Sequence, residues 1–202
     1  VTSDDSTPLR ADVSGRFAPE VEAALNRSHR LVARVARLLV DLNFPDSLAN
    51  DVLAAADLDP DLIRHSGAVT RSVPAQRRPR VGWQADVLDD WDRRCAFCGF
   101  DGHVGSVAVG LDAVHVRWFA LDGPDDADNG LALCSLHHKL LDSGVLGLDE
   151  DYRITVSKAF AGASAAAIAV RELHGVRLVP PPGATLPAPA HVEWHSREVF
   201  KG

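Results

Sequence analysis

Apolar positions between residues 17 and 60 recur with the period of an α-helix. They repeat every three or four residues while arginines occupy another face, which predicts an amphipathic helix. A proline-containing break at residues 43–47 separates it from a second short helix. We assign residues 17–60 to a helical region that packs or forms a homodimer contact, and residues 1–16 to a flexible leader. The apolar set is Leu31, Val35, Leu38, Leu39 and Leu42.

The composition changes between residues 61 and 84, which we assign to a basic linker. From Ile63 to Gln84 this segment holds five arginines and no acidic residue, and two prolines disfavour a helix. It is either a solvated linker or an arm that contacts nucleic acid, because guanidinium groups match phosphate oxygens. For an arm, we expect DNA phosphate contacts from Arg77, Arg78 and Arg80.

Residues 85–202 mix helix and strand patterns. The residues predict a short helix over Asp86 to Arg94, a β-branched strand over Val107 to Val116, and a strand edge that runs into a helix over Leu131 to Leu141. An alanine-rich helix follows, and a C-terminal tail is expected to pack back on the domain. The predicted fold class is therefore α+β, with a helical N-terminal region before the mixed domain. Four histidines without polar company are expected at the surface or in the tail: His103, His174, His191 and His195.

The charge balance and the cysteine count narrow the class of protein. The 202 residues carry 21 Lys and Arg against 28 Asp and Glu, a formal net charge of −7, which excludes a uniformly basic coat for nucleic acid. No apolar run approaches the roughly 18 residues of a membrane span, and the first residues are unlike a secretory signal. Three cysteines are too few for a disulfide scaffold and favour a reducing compartment. We expect a cytoplasmic protein without a membrane partner.

Two pairs of metal-ligating residues share the same spacing. Cys95 and Cys98 are separated by two residues, and so are Cys134 and His137. Such gaps let a tight turn aim two ligands at one ion, and four N or S ligands are typical of structural zinc. The alternative is that the cysteines are ordinary small buried residues. The spacing predicts a structural Zn²⁺ site that joins two distant segments.

Further polar residues surround these pairs in the sequence. His138 follows the predicted ligand His137, and a helix turns by about 100° per residue, so we expect His138 to face a different site. His115 ends the predicted strand, and Asn129 lies in the loop between them. Taken singly, His115 is read as a hydrogen-bonded core histidine and Asn129 as a turn former.

The stretch from Arg94 to Ser157 resembles the HNH endonucleases of the ββα-metal fold. The runs that carry the resemblance are Cys95-Ala96-Phe97-Cys98, Leu111 to Val116, Asp128 to Leu131, and Leu133 to Asp142 with its His-His-Lys sequence. Among HNH proteins it is most similar to the module of restriction endonucleases that cut phosphorothioate-modified or methylated DNA. Those enzymes usually carry an upstream sulfur-binding domain, for which residues 1–16 are too short.

The resemblance implies roles for single residues. His115 would be the general base, and His138 would bind a catalytic Mg²⁺ or Mn²⁺. Asn129 would either complete the metal shell or brace the loop that orients His115. Many family members place a second metal ligand where this chain has Val114. Either Asp112, provided that a bulge reorients it, or Asp142, four residues after His138, would replace that ligand.

Three functions remain open at this level. The first is a metal-dependent endonuclease that hydrolyses DNA phosphodiester bonds as the cleavage module of a modification-dependent restriction enzyme. The second is a non-catalytic zinc-knuckle module that binds DNA. The third is a nuclease for RNA or single-stranded substrates. Only the enzymes need His115, Asn129 and His138 together.

Overall fold

A computed structural model describes residues 16–60, 63 and 80–202 of the chain, except the side chain of Asp46. The chain divides into two compact units, and each is described by itself. The first comprises residues up to Leu42 together with Asn50–Ser72, and the second comprises Asn43–Ala49 and Val73–Gly202. The described residues contain no helix that could cross a membrane.

Three helices account for the amphipathic pattern of the N-terminal region. Helix α1 spans Pro19–Asn26, with the proline in its first turn beside two glutamates, as the positive end of a helix dipole favours. Helix α2 spans His29–Asn43 and carries the apolar stripe, and helix α3 spans Asp46–Ala55. The predicted break before Pro45 is confirmed, because α2 ends at Asn43.

The second unit contains an antiparallel hairpin with helices packed on it. Strand β3 (Leu111–His115) pairs with strand β4 (Gly130–Cys134) in regular register from Leu111 opposite Cys134 to His115 opposite Gly130. Helix α4 (Trp83–Asp90) and helix α5 (Ser135–Asp142) both contact this hairpin. The first four residues of β4 are therefore buried. At Gly130 even a Cβ atom would lie 2.5 Å from a methyl group of Val87. The fold is α+β, as predicted.

Two predicted element boundaries are wrong for the same physical reason. The strand predicted over Val107 to Val116 is split into β2 (Val107–Ala108) and β3, because Gly110 turns the chain with φ +70°. Strand β2 pairs instead with β1 (His103–Val104). Helix α4 ends at Asp90 rather than Arg94, because Asp92 and Arg93 adopt positive φ angles that a helix does not allow. In both cases, residues with positive φ angles interrupt the element at a position where the hydrophobic pattern alone predicts that it continues.

The C-terminal part completes the second unit. Strands β5 (Leu146–Leu148) and β6 (Ile154–Val156) form a short hairpin, followed by helices α6 (Ala165–Glu172) and α7 (Pro189–Glu198). The tail packs back on the domain, as predicted, since α7 contacts β5. His195, expected at the surface or in the tail, lies in this tail and is buried there. Its ring is 2% exposed and donates a hydrogen bond from Nε2 to the Leu141 carbonyl at 3.1 Å, at the end of α5.

Candidate active site and metal cluster

Four side chains converge at the start of α5. One ligand atom from each of Cys95, Cys98, Cys134 and His137 lies within 4.8 Å of every other. Nδ1 of His137 is 3.4 Å from the sulfurs of both Cys95 and Cys134. In a tetrahedral zinc site, a sulfur and a nitrogen ligand are about 3.5 Å apart. The structure thus brings together the four residues that the spacing singled out, and their arrangement fits a metal ion of this size.

Backbone hydrogen bonds hold these four residues in place. The knuckle closes through a bond from the Gly99 amide to the Cys95 carbonyl at 2.8 Å. It is tied to β4 by a bond from the Ala96 amide to the Ala132 carbonyl at 2.8 Å. Cys134 is the N-cap residue of α5, which puts His137 in the first turn of that helix. The cluster thus joins the segment after α4 to the junction of β4 and α5.

Burial keeps the side chains of this Cys₃His cluster uncharged when no cation is bound. Burial raises the pKa of the Cys95, Cys98 and Cys134 thiols, so they stay protonated at neutral pH unless a cation stabilises the thiolates. Burial also lowers the pKa of His137, which keeps the imidazole neutral, the form that ligates metals. Metal binding must release the thiol protons, and acid opposes it.

His138 lies next to His137 in the sequence but has different partners. Its Nδ1 is 3.1 Å from Oδ2 of Asp112 on β3, and its Nε2 is 3.1 Å from Oδ2 of Asp142, one turn later on α5. Burial lowers the pKa of His138, but hydrogen bonds and charge from Asp142 and Asp112 outweigh it, and the net shift is upward. We call Asp112, His138 and Asp142 the acidic cluster.

The two carboxylates of the acidic cluster differ in exposure. The Asp112 side chain is 45% exposed, whereas that of Asp142 is 2% exposed. Asp142 also accepts a hydrogen bond from the Ser47 hydroxyl, and the Lys139 ammonium donates to the Ser47 carbonyl. Asp142 is thus a buried anchor, and Asp112 is open to solvent. Asp112 reaches His138 from a regular strand, because β3 and β4 pair throughout without the bulge that Asp112 would need to face the same side of the strand as His115.

His115 lies at the end of β3 against a second aspartate and an aromatic ring. Its Nε2 is 2.8 Å from Oδ1 of Asp125, and the two side chains are 15% and 9% exposed. The Trp83 ring stacks on the imidazole, with centroids 3.8 Å apart and planes 10° apart, and Phe119 tilts against it at 5.5 Å. We call His115, Asp125 and Trp83 the His115 cluster. The neighbouring Val114 is buried in the core.

Asn129 uses its side chain to hold the loop after β3. It is fully buried, and its Oδ1 accepts from the Arg117 amide at 2.8 Å. Its Nδ2 donates to the carbonyls of Arg117 and Pro124 at 3.0 and 2.9 Å. All three hydrogen bonds therefore go to the backbone of the loop between His115 and Asp125.

Of the three arginines predicted to contact phosphate, the structure describes only Arg80. Arg77 and Arg78 lie outside the described residues. The Arg80 guanidinium forms an ion pair with Asp86 at 2.7 Å, and its backbone amide donates to Oδ2 of Asp125 at 2.7 Å. Arg80 thus contacts the His115 cluster from the end of the basic linker.

Sequence reasoning missed Asp125 and Trp83. Asp125 is one of four aspartates between residues 122 and 128, and nothing in that run distinguishes it. Trp83 lies at the start of α4, where one tryptophan followed by a polar segment indicates only a buried anchor. Both residues meet His115 through contacts between distant parts of the chain.

Comparisons with known proteins cover part of the chain. Residues 95–149 match the family model HNH_2, described as HNH endonuclease. Among solved structures, one titled "Modification dependent TagI restriction endonuclease" is similar with a TM-score of 0.46 and 21% sequence identity, over 66% of this chain. This chain spans 41% of the length of that protein. No curated protein sequence matches the chain.

Proposed function

We propose that the HNH endonuclease domain formed by residues 95–149 hydrolyses DNA phosphodiester bonds with the help of a divalent cation. One observation carries the proposal. Within the matched segment, His115, Asn129 and His138 lie in order on a strand end, a loop and a helix, and each has polar partners suited to a role in hydrolysis. A module that only binds DNA needs none of these partners.

His115 acts as the general base. Its imidazole accepts a proton from a water molecule as that water attacks phosphorus, a task that suits a group titrating near neutral pH. Stacking on Trp83 keeps the ring from rotating, and Asn129 braces the loop that carries its partner Asp125. We therefore assign Asn129 to bracing rather than to metal binding, because its amide is engaged by the backbone.

The acidic cluster fits Mg²⁺ or Mn²⁺. Two ligands at right angles on an octahedral ion of this size are about 3 Å apart, and Nδ1 of His138 lies 3.1 Å from Oδ2 of Asp112. When bound, the cation would polarise the phosphate and stabilise charge on the leaving oxygen. Asp142 would hold the ring through Nε2, as buried carboxylates do for metal-binding histidines. Asp112 is thus the proposed co-ligand, and Asp142 orients His138.

The Cys₃His cluster takes zinc and has a structural role. All four ligands come from the chain, so the ion has no open position for substrate. Its ligands fix the first turn of α5, and His138 follows directly in that turn. A zinc ion here would therefore set the position of the acidic cluster.

The substrate proposal rests on sequence resemblance. The His137-His138-Lys139 run is similar to that of endonucleases acting on phosphorothioate-modified or methylated DNA, so we propose modified duplex DNA as the substrate and a restriction system as the setting. Arg77, Arg78 and Arg80 would contact its phosphates, and the helical region would supply a homodimer contact.

A nicking assay tests the proposal. The full chain is incubated with supercoiled plasmid, modified or unmodified, and Mg²⁺ or Mn²⁺. We expect nicking by the wild type and a loss of about 10²-fold or more in His115→Ala. The matched control is His103→Ala, an exposed histidine of the same domain, which should cut normally. Binding without cutting by any protein would identify a DNA-binding module instead.

A second measurement asks whether one phosphate can reach both histidines. Mn²⁺ bound at the acidic cluster should broaden the NMR signals of the His115 ring, since both sites must lie near the same phosphorus. In His138→Ala the broadening at equal Mn²⁺ should disappear. Sharp His115 signals in the Mn²⁺-loaded wild type would contradict joint action of the two sites.

A further inference from the structure

We propose that Asp125 is a positioning residue that fixes the proton on Nε2 of His115 and stabilises the charged ring during hydrolysis. With Nε2–H directed at the carboxylate, Nδ1 is the nitrogen that takes the proton from water. This inference rests on the proposed function and adds to it a residue that the sequence pattern does not reveal.

The geometry of the pair supports this role. Nε2 of His115 and Oδ1 of Asp125 are 2.8 Å apart, a normal length for a charge-assisted hydrogen bond, and both side chains are largely buried. An ionised carboxylate only accepts hydrogen bonds, so Nε2 must carry the proton. Trp83 stacks on the ring and Phe119 tilts against it, so the pair lies in largely apolar surroundings. In such surroundings, the carboxylate stabilises an imidazolium more strongly than it would in bulk water.

The chain holds Asp125 in place from two directions. The Arg80 amide donates to its second carboxylate oxygen, Oδ2, at 2.7 Å. The Asn129 amide donates to the carbonyl of Pro124, the preceding residue, at 2.9 Å. The backbone at Gly123 packs against the backbone at Arg117 so closely that a Cβ atom on Gly123 would lie 1.9 Å from the Arg117 carbonyl oxygen. Asp125 therefore does not have to be recruited when substrate binds.

The charges around the pair leave the carboxylate available to His115. The Arg80 guanidinium is 2.7 Å from the carboxylate of Asp86, whereas it reaches only the backbone carbonyl of Asp125, at 3.4 Å. The donor that Arg80 gives the Asp125 carboxylate is its neutral backbone amide. From α4 and from the turn after β3, His115 meets aromatic rings. The Arg80 guanidinium thus does not neutralise the carboxylate that His115 contacts.

The test compares Asp125→Asn with a matched control. The substitution removes the charge and keeps the size of the side chain, so Arg80 retains an acceptor. Asp126→Asn removes the same charge one position later, from an exposed side chain. The measurement is the single-turnover nicking rate of supercoiled plasmid with Mn²⁺ as a function of pH. The ¹⁵N NMR signals of His115 without Mn²⁺ report the protonated nitrogen, and His115→Ala assigns them.

We expect a loss of about 10-fold in rate for Asp125→Asn, since positioning accounts for only part of the effect of the general base. The acid limb of the rate profile should move to lower pH by about one unit, because the charged ring loses its counter-ion. The NMR signals should change from the Nε2–H form towards a mixture of tautomers. Asp126→Asn should keep the wild-type rate, profile and signals.

Two results would overturn the inference while leaving the nuclease proposal intact. One is wild-type behaviour of Asp125→Asn beside an inactive His115→Ala. The other is a lower rate with an unchanged acid limb and unchanged tautomer, which would make Asp125 a structural residue of the loop only. An inactive wild type would instead refute the nuclease proposal, and a wild-type ring protonated at Nδ1 would refute the inference by itself.

Discussion

His137 and His138 are consecutive residues of α5, yet they serve the two most different polar sites of the domain. His137 faces sulfur atoms in the Cys₃His cluster, where burial lowers its pKa. His138 faces carboxylates in the acidic cluster, and its pKa is raised despite burial. A rotation of about 100° along the helix is enough to place the same side chain in opposite electrostatic surroundings.

The two sites also differ in how their ligands are arranged. In the Cys₃His cluster, four donor atoms converge within 4.8 Å, as a closed structural site requires. In the acidic cluster the carboxylates bind opposite edges of one ring, and Asp112 remains open to solvent. The comparison indicates that four ligands converging on one point suit an ion that stays bound. A site with one solvent-exposed ligand suits an ion that also contacts the substrate.

The largest effect should come from breaking the Cys₃His cluster. Cys98→Ala removes one ligand, and we expect zinc content to fall from about one ion per chain towards zero, because structural sites need all four ligands. The domain should lose its cooperative thermal transition, since the proposed ion would hold the junction of β4 and α5. Metal analysis and circular dichroism melts check both points. His138→Ala serves as the control and should keep its zinc, so a folded, zinc-free Cys98→Ala protein would contradict the structural role.

The next largest effect should be on Mn²⁺ affinity, which distinguishes the proposed ligands of the acidic cluster from the residue that orients His138. We expect His138→Ala to weaken Mn²⁺ binding by about 10²-fold, and Asp142→Asn by roughly 10-fold, because an orienting carboxylate acts through the ligand it holds. Asp112→Asn should resemble His138→Ala, since both residues are proposed ligands. Titration followed by electron paramagnetic resonance measures the affinities. A larger loss in Asp142→Asn than in Asp112→Asn would reverse the two assigned roles.

His195 extends the comparison of His137 and His138 to a third buried histidine, whose ring donates a hydrogen bond to a backbone carbonyl group. Burial lowers its pKa to about 4, below the usual value of about 6.5, so the unfolded chain binds a proton that the folded chain excludes. Stability should therefore fall as the pH drops from about 6.5 to about 4, by about 3 kcal/mol for this group. His195→Gln keeps a donor for the Leu141 carbonyl but does not titrate. Urea melts across this range should show a weaker pH dependence for the variant, and equal slopes would contradict the assignment.

The smallest effect should be on DNA affinity, through arginines that lie outside both sites. Because the acidic cluster repels phosphate unless a cation is bound, DNA affinity must come in part from other residues. We expect Arg77→Ala with Arg78→Ala to flatten the dependence of log K on log salt by about 2, and to leave zinc content unchanged. Arg80→Ala should flatten it less, because Asp86 already pairs with that guanidinium. Fluorescence anisotropy with labelled duplex measures the slope, and an unchanged slope in the double variant would show that the segment is only a linker.

The site was partly predictable from the sequence because part of its geometry is local. The two-residue gap between Cys134 and His137 is set by one helical turn, so the pattern alone named these two members of the cluster. The order of His115, Asn129 and His138 likewise predicted a strand, a loop and a helix, which the structure contains. Their catalytic roles stay predictions.

Other features followed from contacts that no local pattern encodes. The burial of His195 depends on how α7 packs against the end of α5, fifty or so residues away in the chain. The bulge that would turn Asp112 to the same side of the strand as His115 is not present, and it is α5 that brings His138 to Asp112. Which aspartate of the 122–128 loop faces His115 was decided by the Asn129 and Arg80 hydrogen bonds.

The sequence by itself thus determined the helices, the strands and the relative positions of functional residues that are close in sequence. Backbone geometry fixes the distance between such near neighbours in the same way in every protein. Helix spacing already places Asp142 beside His138, but only the tertiary structure decided the other pairs of carboxylates with histidines. Such pairs join residues 10 to 26 positions apart, as in His115 with Asp125 and His138 with Asp112, across elements whose packing depends on the whole core.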